Sequence, residues 1–311
     1  MPEWTPQREK VYLDRYSLKN EKGEPTETIE QTWDRVANDI GNNKKERQAF
    51  RRILSDFKFV PGGRILAGAG TDTEVTYYNC FVIGIKNTTS PKNGRDSREA
   101  IFDTISRMVN IMSRGGGVGI NWSILRPNGS YLKRINGTTT GPIEWMDVAS
   151  KAVGAVMQGG SRRGAAMFML DDWHPDVLSF INAKRDLGKI TNANISVAIS
   201  DDFMKAVAED GPWTLRFPDT TFERYNDEWD GDLRKWEAAG YPTTIHRLCQ
   251  AREIWRELAE GAWDNGEPGV IFMDRYNNLS TGAAIERIAC VNPCVSGDTL
   301  IATLDGNKPI S

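Results

Sequence analysis

The stretch from Ser113 to Gly129, SRGGGVGINWSILRPNG, decides how the rest of the chain is read. Three consecutive glycines lead into GVGINW, a short apolar run, and a Pro-Asn-Gly turn closes it. Upstream, Ile101, Ile105, Met108 and Met112 share one face of a helix predicted over 97–113. Helix, glycine turn and buried strand in succession make one unit of an α/β fold. Strands and helices go on alternating along the chain, without an internal sequence repeat. YNCFVIGI, AAMFML, ISVAIS and GVIFM are further strand candidates. Helices predicted over 142–157 and 175–185 lie between them, each opening near a proline (Pro142, Pro175) that suits a first helical turn. This alternation predicts a largely parallel sheet. The segment TIHRLCQAREIWRELAEGAW also reads as helical, and residues 219–242, polar with scattered aromatics, read as an excursion on the surface.

Before residue 76 the pattern is helical. Ile29, Trp33, Val36 and Ile40 keep the spacing of one helix face, Thr28 and Gln31 make a capping-box start, and Gly41 supplies the stop. A second helix is predicted through KKERQAFRRILSDF, ahead of the glycine-rich VPGGRILAGAG.

Composition narrows the chemistry. With 39 basic and 42 acidic residues in 311, the net charge of −3 recommends no nucleic-acid partner. No apolar run approaches the length of a membrane span, and the polar start MPEWTPQREK does not resemble a secretory signal. Four cysteines without a CxxC pair fit a reducing cytoplasm, and two histidines make a His-rich metal site a poor reading, so no metal ligand is assigned. Thiol chemistry is what remains.

Each candidate motif has a plain structural alternative. The glycines of GGGVG can expose backbone N–H groups to a phosphate or sugar, or simply form a tight packed turn. QGGSRRGAA (158–166) places Arg162 and Arg163 in a glycine-hinged loop, suited to a phosphate or base edge or to solvent. Asp96, with Glu99 three residues on, reads as a helix N-cap. Cys80 in an apolar strand, Cys249 in a helical pattern and His174 before Pro175 all read as structural.

In combination and in order, these segments resemble ribonucleotide reductase, specifically its adenosylcobalamin-dependent class II large chain. The landmarks are FVPGGRILAGAG, NCFV, GGGVGINWSILRPNG, TTGPIEWMDV, QGGSRRGAAMFML, HPDVLSFINAK, NANISVAISDDFM, GEPGVIFMDRYN and VNPC, from about Arg15 to Pro293. The resemblance implies a helical N-terminal domain over 1–75, then the first half of a ten-stranded α/β barrel over 76–293. It implies reduction of ribonucleoside diphosphates or triphosphates by a thiyl radical on the Asn-Pro-Cys cysteine, with two further cysteines forming a disulfide. Cys80 matches one of that pair, Asn292 the amide that binds substrate hydroxyls, and Cys294 the position of the radical cysteine. Gly116, Gly117, Asn121 and Arg162 are the implied substrate contacts; Asp96, Ser97 and Arg163 are the implied contacts of a deoxynucleotide effector. The implied partners are adenosylcobalamin, a ribonucleotide, a dNTP, a thioredoxin-like or dithiol reductant and the remaining half-barrel. A homodimer is compatible with this set. No N-terminal ATP cone is expected, because the resemblance begins almost at the first residue.

At Cys294 the pattern departs. The family's proton-accepting glutamate should stand where this chain has Ser296. Instead CVSGDTLIATLDGNKPIS, residues 294–311, resembles the first block of an intein: a nucleophilic cysteine, a Gly-Asp-Thr turn and a strand. On this reading Cys294 attacks the carbonyl of Pro293, a restricted acyl donor, in an N-to-S shift. The chain alone is expected to be inactive as a reductase. A class I large chain, driven by a radical from a partner protein, and a splicing component with reductase flanks are the competing readings.

Overall fold

The computed structural model describes residues 4–86, 94–132, 135–158, 162–185, 188–292, 300–303 and 306–309. The chain divides into two compact units, Met1–Asn79 with Arg114–Gly116, and Cys80–Ser113 with Gly117–Ser311.

The first unit is helical: α1 (Pro6–Arg15), α2 (Ile29–Ile40), α3 (Lys44–Leu54) and α4 (Gly63–Gly68). Helix α2 starts as its sequence predicts. The Gln31 N–H donates to Thr28 Oγ1 and the Thr28 N–H to Gln31 Oε1, so two otherwise unpaired donors are satisfied reciprocally. Its apolar face buries Trp33, Val36 and Ala37 against Leu54 and Leu66.

The second unit begins β1 (Cys80–Val82), α5 (Arg98–Ser113), β2 (Gly117–Asn121), α6 (Pro142–Ala155), β3 (Ala166–Asp171) and α7 (Val177–Ile181). It continues β4 (Asn194–Ile199), α8 (Asp201–Glu209), β5 (Pro212–Pro218), α9 (Tyr225–Glu228), α10 (Leu233–Ala238), β6 (Thr243–Gln250), α11 (Ala251–Asn265), β7 (Gly269–Phe272) and α12 (Met273–Leu279). Strands β1, β2, β3, β4 and β7 form one parallel sheet in that order. These are the five apolar runs read from the sequence. Strands β5 and β6 form a separate antiparallel pair. Among the described residues no helix is long and apolar enough to cross a membrane.

Three expectations are corrected. The helix predicted over 175–185 has only the five residues of α7. The predicted helix through TIHRLCQAREIW is β6 followed by α11, so Cys249 lies in a strand, buried, and its Sγ faces the Trp213 carbonyl at 3.5 Å. Pairing with β5 overrides the local helical pattern there. Residues 219–242 are not a surface excursion: Tyr225, Trp229 and Trp236 are each 2% exposed and pack edge to face, with Trp229 and Trp236 centroids 5.9 Å apart.

Candidate active site

Side chains alternate between the two faces of a strand, so register alone sorts the sheet. Val118, Ile120, Phe168, Ile195 and Val197 face the helices and belong to the main core. Cys80, Gly117, Gly119, Met167, Met169 and Ser196 share the opposite face. On that face the residues are small or flexible, and Cys80 is exposed at its edge.

The segment Ile288–Asn292 lies against this second face. Cys290 is buried with Met167, Met169, Ala198 and Met273, its Sγ 3.4 Å from Met169 Sδ. Burial pushes the Cys290 thiol far above the ordinary thiol range, so it stays protonated and unreactive. Gly119 explains the close approach. A Cβ there would collide with the Val291 carbonyl oxygen and stand 3.2 Å from Cys290 Sγ. Cys80 pairs with Gly117, two residues before Gly119 and one strand over, which places its Cα roughly 8 Å from that contact by sheet spacing. Asn292 follows directly. Its Nδ2 is buried and has no hydrogen-bond partner among the described residues. An unpaired buried amide donor is costly unless an acceptor arrives.

The other expected contacts are spread along the sheet. Cys80 and Gly117 begin their strands, whereas Asn121 ends β2 at the opposite end of the sheet. Gly116 is buried immediately before β2. Arg162 and Arg163 pair as a short strand with Met157–Gln158, and their side chains fall outside the described residues, as do Cys294 and Ser296 entirely.

Asp96 is not the cap of α5. The helix starts at Arg98, so Ser97 holds that position and its Oγ accepts the Ala100 N–H at 3.2 Å. The Asp96 carboxylate instead takes two bonds from Arg126, Nε at 2.6 Å and Nη2 at 3.2 Å, and one from the Tyr225 hydroxyl at 2.8 Å. Arg126 also lies over the Tyr225 ring, 5.1 Å from its centroid. The Asp96 side chain is 2% exposed and that of Arg126 19%, so removing Asp96 strands a largely buried guanidinium. Asp96→Ala should therefore cost about 3–5 kcal/mol in chemical denaturation, well beyond the ~1 kcal/mol of a lost cap. A loss near 1 kcal/mol would show that the pair contributes little. Arg126 and Tyr225 were not identified from the sequence; the Arg of SILRPNG was the available signal.

At the C-terminal ends of the strands a cleft of about 780 Å³ is lined in part by Asp171, Asp172, Trp173, Arg234 and Arg287. The Ser200 N–H and hydroxyl both donate to Asp172 Oδ2, while Oδ1 is buried without a partner among the described residues. Desolvation pushes the Asp172 carboxyl up to about 7 and that of Asp171 up to about 6. Fully buried His174 is held the other way, at about 3. Its Nε2 lies 2.9 Å from the Leu125 carbonyl, to which it donates, and its Nδ1 accepts the Asp176 N–H. This is the neutral ring of a structural histidine. The signs oppose each other. A folded carboxyl raised from 3.8 to about 7 loses stability as pH rises through that interval, because the unfolded chain releases its proton first. A histidine depressed from 6.5 to about 3 loses stability as pH falls through that interval. Asp172→Asn keeps the shape and removes the first effect only. It should gain on the wild type by on the order of 4 kcal/mol between pH 4 and pH 7 in denaturant titrations. A pH-independent difference would show that Asp172 folds ionised.

Residues 78–296 match the ribonucleotide reductase barrel domain and residues 4–74 the ribonucleotide reductase all-alpha domain. The vitamin B12-dependent ribonucleoside-diphosphate reductase of Mycobacterium tuberculosis is 30% identical over 91% of this chain and 38% of its own length. That of Thermoplasma acidophilum is 29% identical over 93% of this chain and 34% of its own. The ribonucleoside-diphosphate reductase large subunit of Variola virus is 28% identical over 82% and 32%. The chain thus spans about a third of the length of the curated relatives it matches.

Proposed function

The chain belongs to the ribonucleotide reductase family, and on that premise we propose that it carries the first half-barrel of a class II enzyme that reduces ribonucleotides by thiyl-radical chemistry. One observation carries this reading: exposed Cys80 shares a sheet face with the Cys290–Asn292 segment, and Asn292 there holds a buried amide donor with no partner among the described residues. A ribose hydroxyl is an acceptor of the right kind. Cys80 would supply one of the two thiols that reduce the sugar. Each turnover removes a hydroxyl as water and takes two electrons and two protons from the thiols, leaving a disulfide. The radical position, Cys294, lies outside the described residues, and Cys249 and Cys290 match neither the radical cysteine nor the second thiol.

Adenosylcobalamin would supply the radical initiator when bound. The described residues give it no assigned ligand. His174 is buried with both ring nitrogens bonded, and Cys249 and Cys290 are buried thiols. Support for class II is the vitamin B12-dependent relatives, 30% and 29% identical over 91% and 93% of this chain. The complete enzyme, given a ribonucleoside diphosphate and a dithiol, should form deoxynucleotide only when adenosylcobalamin is added. Turnover that needs a radical-donating partner protein instead would assign it to class I.

The effector reading for Asp96, Ser97 and Arg163 takes a specific form. Asp96 and Ser97 are already engaged, with Arg126, Tyr225 and the α5 N-terminus. A deoxynucleotide there would exchange with these partners. Asp96→Asn should weaken effector control of substrate choice more than basal reduction, and an unchanged effector response would leave only the structural pair.

We also propose that an intein begins at Cys294. The barrel-domain match stops at residue 296, and beyond it Leu300–Thr303 pairs with Gly306–Pro309 as a hairpin of its own.

A further inference from the structure

Residues 288–292 are in neither helix nor strand, yet they lie on a sheet face, so side chains must satisfy their backbone groups. Asn277 of α12 bonds Ile288 twice, accepting its N–H at 2.7 Å and donating to its carbonyl at 2.9 Å. Met169 Sδ stands 3.5 Å from the Val291 N–H. Asn121 of β2 donates from Nδ2 to the Ala289 carbonyl at 2.9 Å and to Asp171 Oδ1 at 2.8 Å, while its Oδ1 accepts the Ser123 N–H at 2.9 Å. Asp171 is itself fixed, since its N–H donates to Ser123 Oγ at 2.7 Å. Both faces of the Asn121 amide are therefore in use.

We propose that Asn121 is a positioning residue and not a substrate contact: it clamps the 288–292 segment to the sheet and so sets the place of the Asn292 amide. Gly119, two residues earlier on the same strand face, is the floor on which the clamped segment rests. Gly119 and Asn121 thus serve a close approach of chain to chain. The mechanistic consequence rests on the reductase reading, but the clamp itself does not.

The test uses cysteines already in the chain. Cys290 reports the clamp, exposed Cys80 controls for reagent, and buried Cys249, in β6, controls for global opening. Asn121→Ala should raise Cys290 labelling by a thiol reagent, read by peptide mass spectrometry, about tenfold or more while Cys249 stays protected. If Cys249 opens equally, Asn121→Asp, which keeps the shape and the bond from Ser123 but cannot donate to Ala289, decides. Cys290 protected in whichever variant stays folded overturns the clamp. In the complete reductase, the same variant should lower kcat by up to about 10²-fold, the effect of a displacement on the order of 1 Å, with KM for nucleotide little changed. A raised KM with kcat intact would make Asn121 a substrate contact and also overturn the proposal. Absence of reductase activity in the wild type would sink the family-activity reading and leave the labelling result to judge the clamp.

Discussion

Cys80→Ser in the complete reductase should end multiple turnover with dithiol reductants while leaving the fold intact. The two halves of that expectation have separate causes. Cys80 is exposed at the start of β1, so exchanging its sulfur for oxygen should change stability by no more than about 0.5 kcal/mol. The chemistry has no such tolerance. A serine hydroxyl cannot be oxidised to a disulfide, so the two electrons needed at the sugar have no source. The strand also matters. Cys80 is held in parallel register with Gly117, which puts no side chain of its own beside the sulfur. Product formation should be followed over many equivalents, with thermal unfolding measured on the same preparation. Sustained turnover by the serine variant would remove Cys80 from the mechanism. A large fall in Tm would point instead to a structural thiol.

The five strands of the parallel sheet were legible because buried parallel strands are short apolar runs between glycines and helices, and nothing in the tertiary structure contradicts that signal. Helix α2 was legible because its cap and its apolar face are local. What failed was non-local. TIHRLCQ alternates weakly and abuts a strong amphipathic helix, so only its pairing with β5 reveals a strand. Asp96 looks like a cap from its neighbours, but its partners, Arg126 and Tyr225, are 30 and 129 residues away. Asn121 is a substrate contact implied by the resemblance alone, and its hydrogen bonds to Asp171 and Ala289, 50 and 168 residues away, could not be read from its neighbours. The aromatics of 219–242 read as scattered because their packing partners come from α10, β5 and the turn after β3. Family motifs located the candidate site. They did not say which motif residues touch a ligand and which hold the chain in place.

Cys294→Ala should abolish any joining of this chain to a matching C-terminal fragment. If an intein begins at Cys294, the first step is attack of its sulfur on the Pro293 carbonyl, which turns the amide into a thioester; alanine has no nucleophile with which to start. The ring of Pro293 restricts the acyl donor, so wild-type ligation should be slow and should speed up when Pro293 is replaced by glycine. A cysteine from the other fragment would then take over the acyl group, and the product would read Asn-Pro-Cys across the junction. Mass spectrometry of the ligated product gives a direct reading. Val295 retained in the mature enzyme would mean that no intein starts here and that this loop is a diverged active-site segment. Its absence, together with deoxynucleotide formation by the ligated enzyme, would join the two proposals at a single peptide bond.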